Sequence, residues 1–298
     1  MLKPEEQKLL SVCIIGKPNA GKSTLLNKII GQRISIVTPK VQTTRSIITG
    51  VVTIGDTQLI LFDTPGIFKA KKRLEKAMVK CAWSSLNSAD IIVLILDSGA
   101  KIDEMMDTII LRIKELGKKV VFLLNKIDLH PKYYLDNLNY LIKNCPDSHK
   151  FNISALTGHG IDGFIEFLKN NAQKANWLYE KDDITNLSMR FLASEITREQ
   201  LFLKLHQELP YNLTVENESW QNKSDGSVKI NQTIIVSKES YKNMIIGQKG
   251  EKIKEIGTKA RINIEELLGV KIHLFLFVKV RKSWEENPDL YRSMGLKP

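Results

Sequence analysis

Gly16-Lys17-Pro18-Asn19-Ala20-Gly21-Lys22-Ser23 lies between a short apolar run, Leu9–Ile15, and a helix-compatible segment, Lys22–Ile30. The spacing is GxxxxGK[ST], and a strand on one side with a helix on the other is the setting that motif needs. Its glycines let backbone N–H groups close around phosphate oxygens, and the start of the helix adds a field that favours an anion. Lys22 is placed to reach the β- and γ-phosphates of a nucleotide, and the Ser23 hydroxyl to ligate Mg²⁺. Gly16 to Ser23, with Thr24, form the expected cradle.

A phosphate cradle alone leaves the base open. Asn125-Lys126-Ile127-Asp128 follows the apolar run Val120–Leu124. The Asp128 carboxylate can accept two hydrogen bonds from the N1–H and 2-amino group of guanine, whereas adenine offers no donor at those positions. Asn125 suits the other purine edge, and the Lys126 stem can pack over the ring. Sites built on such bonds reject analogues that lack the partner groups by ~10⁴–10⁵-fold, because buried polar atoms are left unpaired. Asp63-Thr64-Pro65-Gly66 ends the run Leu59–Phe62, with Asp63 suited to the Mg²⁺ shell and the Gly66 N–H to sensing a γ-phosphate. Thr43-Thr44-Arg45 offers Thr44 as a further Mg²⁺ hydroxyl, and Ser154-Ala155-Leu156 supports the base. Lys22, Thr44, Asp63, Gly66 and Asn19 are the candidate catalytic residues, and GTP or GDP with Mg²⁺ the expected ligands.

Chain length, 298 residues, suggests two domains. Apolar runs alternating with helical stretches through Gln173 indicate a mostly parallel sheet covered by helices. Beyond a polar connector the order becomes helix, strand, strand, helix, helix, strand. The strands Leu213–Trp220 and Val228–Val236 join across Asp225-Gly226, and a helix over Phe191–Leu209 is expected to stop at Pro210. The expected division is 1–175 for nucleotide, 176–190 as linker and 191–298 as a separate α+β unit.

The longest aliphatic run, Ile91–Leu96, is far below the ~20 residues that cross a bilayer. Met1–Leu10 lacks the apolar core of a signal peptide. Cys13, Cys81 and Cys145 form no CxxC pair, which favours a reducing, cytoplasmic setting. Net charge is +11, and its distribution is uneven. Residues 1–175 hold 25 basic and 16 acidic side chains, a net of +9, against 19 and 17 in the remainder, a net of +2. A polyanion site in the second half must therefore be local.

The second half has a strong local feature. Ile245-Ile246-Gly247-Gln248-Lys249-Gly250 puts GxxG between two helices, followed by Lys252 and Lys254. Such a turn brings backbone N–H groups and a helix N-terminus to phosphates, with an apolar groove for bases formed here by Ile245, Ile246 and Ile253. KH domains clamp about four nucleotides in this way.

In the order P-loop, TT, DTPG, NKxD, SAL, the first half resembles the translation-factor-related GTPases. With the KH-like half added, the chain resembles the bacterial Era GTPases over nearly its whole length. Beyond the GTPase boxes the match includes PKVQTTR (39–45), RFLASEITRE (190–199), ELPY (208–211) and VKVRKSW (278–284). The resemblance implies a P-loop GTPase domain of α/β class with a mostly parallel six-stranded sheet, then a smaller type II KH domain of α+β class. It implies binding near the 3′ end of small-subunit ribosomal RNA, a role in 30S maturation, no DNA partner, and peripheral association with the inner membrane. Related GTPases with Asn at the position of Asn19 use it to hold K⁺. Ile67, after DTPG, lacks the polar atom of the Gln found in Ras-like enzymes, so slow intrinsic turnover is expected. Leu156 departs from the common SAK. A nucleotide-gated module on another RNA such as tRNA, with hydrolysis only as a reset, is the competing reading.

Overall fold

The computed structural model describes residues 6–287 together with Tyr291 and Leu296; the rest of the expected 191–298 unit lies outside the described residues. Contacts divide the chain into two units. One comprises residues up to Ser35 with Thr44–Asn186, the other Ile36–Thr43 with residues from Leu187 onward.

In the first unit the elements run β1 (Lys8–Ile15), α1 (Lys22–Ile30), β2 (Ile48–Ile54), β3 (Thr57–Asp63), α2 (Arg73–Ser85), β4 (Ile91–Asp97), α3 (Glu104–Glu115), β5 (Lys119–Asn125), α4 (Tyr134–Asn144), β6 (His149–Asn152), α5 (Ile161–Asn170) and β7 (Gln173–Lys174). The sheet order is β2-β3-β1-β4-β5-β6, parallel except for the β2–β3 hairpin. Six strands were expected. A seventh, the two-residue β7, pairs antiparallel with the start of β1 and cuts short the helix expected to reach Gln173. β1 and β4 are apolar because both their faces are covered: Val12, Ile14, Ile92, Val93 and Leu94 have no exposed surface. Each such burial contributes about 1.5–3 kcal/mol. The parallel register brings the carboxyl ends of β1, β3 and β5 to one edge, where ligands of open α/β sheets bind.

Residues 177–185, read as part of a connector, instead strap the first unit. Trp177 N–H donates to Gln7 Oε1 (3.0 Å), and the Leu178 and Tyr179 N–H groups donate to the buried Gln58 Oε1 (3.0 and 3.1 Å). Val51 N–H donates to the Ile184 carbonyl (2.8 Å). β2 is an edge strand, and this segment satisfies backbone groups that the edge would leave open.

The second unit contains α6 (Met189–Lys204), β8 (Leu213–Asn222), β9 (Val228–Val236), α7 (Glu239–Ile246), α8 (Glu251–Leu268) and β10 (Ile272–Val280). Its sheet order is β10-β9-β8, with β9–β8 antiparallel and β10–β9 parallel. Leu201, Ile234, Ile245 and Ile256 form one core between helices and sheet. α6 starts at a Ser188 cap that accepts from Phe191 N–H (3.2 Å). It stops at Lys204, short of the expected Leu209. Leu205 turns extended, and Lys40 donates to the carbonyls of Phe202 and Leu205 in the last turn. Pro210 falls in a separate short turn, Leu209–Asn212. The segment Ile36–Thr43 packs along this helix: Val37 N–H donates to Glu199 Oε1 (2.9 Å), and the buried Arg198 donates to the Thr43 carbonyl (2.6 Å).

Candidate functional site

The P-loop joins β1 to α1 in a conformation that few residues tolerate. Gly21 has φ +104°, and a Cβ there would lie 2.1 Å from Asn125 Nδ2. Asn19 is left-handed at φ 61°. Lys22 is 6% exposed, and its ammonium donates to the carbonyls of Gly16 (3.2 Å) and Lys17 (3.0 Å), positions that hold it within the loop. Burial pushes its pKa down to about 8, partly opposed by the Asp63 carboxylate. Lys17 pairs with Asp103, which caps α3.

Four oxygen-bearing side chains meet beside Lys22. Ser23 Oγ donates to Asp63 Oδ2 (2.6 Å) and lies 2.9 Å from Thr44 Oγ1, and Ser35 Oγ donates to the same Asp63 oxygen (2.8 Å). Asp63 is fully buried, and its other oxygen, Oδ1, has no partner. Burial raises the Asp63 pKa, against the lowering by Lys22, Ser23, Ser35 and Thr44. One carboxylate with two hydroxyls suits Mg²⁺, which prefers few protein oxygens and completes its shell with waters and phosphate. The residues present therefore fit that ion. Ser35 was missed in the sequence because it matches no box. The signal was Asn27, whose Oδ1 accepts from the N–H groups of Ile34 (3.0 Å) and Ser35 (2.9 Å).

The DTPG turn lies against the P-loop. Thr64 Oγ1 donates to the Ile14 carbonyl (2.8 Å), Ile67 N–H to the Gly16 carbonyl (3.0 Å), and a Cβ on Gly66 would meet Pro18 N at 2.8 Å. Ile67 is buried in the β4–α3 core.

At the base end, Asn125 acts as a strut. Its Nδ2 donates to the Ala20 carbonyl (2.8 Å), and its Oδ1 accepts from Ala155 N–H (2.8 Å). The expected free arm toward the purine is thus largely committed to protein, with one Nδ2 proton left to donate. The strut ties P-loop, NKID and SAL into one frame. Lys126, left-handed at φ 66°, pairs with Asp97 (2.6 Å), a partner the sequence reading missed. Asp128 Oδ1 is buried and has no partner. Ser154 and Ala155 are buried, Ser154 Oγ accepting from Thr157 N–H (3.1 Å), while Leu156 is 74% exposed.

In the second unit, α7 ends at Gly247 (φ +73°), where a Cβ would lie 2.7 Å from Lys252 Cβ. Lys249 is left-handed at φ 49°, and α8 begins after Gly250. Gln248, Lys249, Lys252 and Lys254 are exposed around the turn. Lys242 and Lys259, by contrast, pair with Glu239 and Glu255. Ile245, expected to line the groove, is fully buried in the core and supports the turn from beneath; Ile246 and Ile253 are half-buried. The i to i+8 spacing from 245 to 253 spans the turn and does not reveal which isoleucine points inward.

A family model described as 50S ribosome-binding GTPase matches residues 11–126, and one described as KH domain matches residues 208–285. GTPase Era of Rickettsia conorii is 58% identical over 99% of this chain and 87% of its own, and that of Mesorhizobium japonicum 46% identical over 96% and 92%. Among solved structures, Era in complex with MgGDPNP and nucleotides 1506–1542 of 16S ribosomal RNA superposes with a TM-score of 0.92, at 36% identity, covering 97% of this chain and 99% of that one. An Aquifex aeolicus Era variant bound to GDP.AlF4⁻ gives the same values. With boxes, both units and relatives matched along nearly its full length, the chain belongs to the Era GTPases.

Proposed function

We propose that this chain hydrolyses GTP to GDP and phosphate and binds near the 3′ end of small-subunit ribosomal RNA, its nucleotide state governing 30S maturation. One observation carries the nucleotide half of this reading: two buried carboxylate oxygens, Asp128 Oδ1 and Asp63 Oδ1, lack partners at opposite ends of one frame. Leaving a buried acceptor unmade costs about 1–3 kcal/mol, so each is suited to a ligand that supplies donors or a cation. Guanine N1–H and the 2-amino group serve Asp128. Mg²⁺, when bound, neutralises phosphate charge, with Ser23, Thr44 and Asp63 as its protein partners.

Within that frame Lys22 exchanges its loop carbonyls for β- and γ-phosphate oxygens, and the residues from Gly16 to Thr24 enclose them. Thr64, Pro65 and Gly66 set the edge at which a γ-phosphate is sensed. Lys126, Ser154, Ala155 and Leu156 flank the base. Ile67 offers nothing to orient water, so positioning must come from elsewhere. Asn19, in its left-handed turn, is our candidate for a K⁺ that supplies the missing charge. The RNA half rests on the GxxG turn with Ile246, Gln248, Lys249, Lys252 and Lys254, and on the solved relative that holds 16S ribosomal RNA. We assign nucleotide work to 1–175 and RNA work to 191–298.

Peripheral membrane attachment rests on the resemblance only; among the described residues no helix is long and apolar enough to cross a membrane. The test is direct. Purified protein should bind GTP and GDP at least ~10⁴-fold more tightly than adenine nucleotides and retain, after crosslinking in cells, the 3′ end of small-subunit rRNA. Preference for adenylates, or enrichment of tRNA in its place, contradicts the proposal.

A further inference from the structure

The turn that carries Asp128 has a second side. Lys126 (φ 66°) and His130 (φ 48°) are left-handed at its two ends, a conformation that side chains other than glycine hold only where their surroundings impose it. Between them runs one short turn, Ile127–Leu129, fixed where Ile127 N–H donates to the Ile153 carbonyl (3.3 Å). The same turn lines a cavity of about 500 Å³ that reaches Asn152, the last residue of β6, and the start of α4. Ile127, Pro131 and Leu135 give it apolar walls, and His130, Lys132 and His159 line its polar part. Among the described residues no carboxylate lines it, although Asp128 and Asp136 stand beside these residues in the sequence. Lys126, Ser154, Ala155 and Leu156 are also absent from its walls, so it is separate from the base site. Leu135 is 64% exposed and Leu129 69%, apolar surface that the fold leaves uncovered. The Lys132 ammonium lies 5.3 Å from the Tyr133 ring centre, and among the described residues the side chains of His130, Lys132 and His159 form no hydrogen bond or ion pair.

We propose that this cavity is an effector site for a small organic anion with a flat apolar body, and that its occupant tightens the grip on guanine nucleotide through the shared turn. The volume is that of a metabolite-sized ligand site, which is characteristically apolar with a few converging polar groups. It opens at the carboxyl ends of parallel strands, the edge at which open α/β sheets take their ligands. An ammonium and two imidazoles without protein acceptors, and no carboxylate to repel an anion, favour a carboxylate or phosphate head. The apolar walls favour a ring behind that head over a free inorganic ion. The coupling follows from the shared turn. An occupant resting on Ile127 and His130 favours the one turn conformation that shapes the cavity, and that conformation also holds Asp128 in place for the base. A ligand shifts an equilibrium by its differential affinity for two states, and the nucleotide must return the same factor. Occupancy stands on the cavity alone; the coupling rests on the guanine reading above.

The test uses the full chain with Mg-GDP and two probes, indole-3-acetate and phenyl phosphate, which carry a carboxylate and a phosphate on a ring. Fragments of this size bind such a site at about 1 mM. At least one probe should shift the His130 and His159 ring protons and the Ile127 and Leu135 methyls in NMR spectra. It should leave GDP bound and tighten it by about 5-fold. Comparison of the two probes tells whether the head is a carboxylate or a phosphate. Lys132→Gln with His159→Gln should weaken the probe by ~10-fold or more and leave GDP affinity without probe unchanged. No shift with either probe at about 10 mM overturns the site, as do shifts of equal size in the double variant or displacement of GDP. Shifts at Leu129 and Leu135 that follow protein concentration and ignore both probes overturn it in favour of a contact between copies. A loaded cavity with unchanged GDP affinity overturns the coupling. If the parent chain does not bind GDP, the guanine reading falls, and the shifts alone decide the cavity.

Discussion

The P-loop and the turn at Gly247–Gly250 are both glycine turns at the start of a helix, yet the two are built differently. In the P-loop the space is filled: a side chain at Gly21 would strike Asn125, Lys22 is buried, and Asp63 has no exposed surface. At Gly250 a Cβ would meet nothing within 4 Å, and Gln248 and Lys249 face solvent. An enclosed cradle with buried charge selects one small ligand, because each wrong group leaves a buried atom unpaired. An open turn suits a polymer that enters and leaves from the side and is gripped by its backbone.

Variants that separate the two turns test this contrast. The largest effect is expected from Lys22→Ala. Losing two charge-assisted hydrogen bonds of about 1.5–3 kcal/mol each should weaken GTP and GDP by ~10³-fold, read by calorimetry. Asp128→Asn should follow, at ~10²-fold against GTP with most of the discrimination over ATP lost, since an amide N–H₂ would then face guanine donors. Gly250→Asp puts a carboxylate into open space, where repulsion of phosphate is its main action. It should lower RNA affinity by ~10-fold or more in fluorescence anisotropy with nucleotide binding close to the parent, and lower thermal stability modestly because Gly250 sits at φ +79°. A matching loss of nucleotide binding would erase the distinction between the turns. The smallest effect is expected at Asn19. Asn19→Ala should abolish any gain in GTPase rate on replacing NaCl by KCl, and equal rates in both salts for the parent would remove the K⁺ assignment.

The fold class and the frame of the nucleotide site were legible because the boxes sit at strand ends, and a parallel sheet brings its carboxyl ends together. What the linear pattern hid was pairing at a distance. Ser35 and Asp97 belong to no box and are recruited by Asn27 and Lys126. Asn125 looked like an arm toward the base, but its partners, Ala20 and Ala155, are far away in the sequence. The end of α6 was misplaced because Pro210 is a strong local stop, whereas Lys40, 162 residues before Phe202, is what satisfies the last carbonyls. Ile245 and Ile246 are indistinguishable in composition, and only the packing of α7 decides which one is buried. The strap at 177–185 read as linker because its bonds come from backbone groups and from Gln7 and Gln58, which carry no periodicity.

The central claim is that nucleotide state and RNA grip are linked although each turn has its own chemistry. Thr43 groups with the second unit and Thr44, the next residue, with the first. The decisive measurement is RNA affinity of the full chain with Mg-GDPNP, with GDP and without nucleotide, alongside nucleotide affinity with and without RNA. A difference of at least ~5-fold is expected between the triphosphate and diphosphate states, with the same factor returned in nucleotide affinity, as linkage demands. Identical RNA affinities in all three states would contradict it.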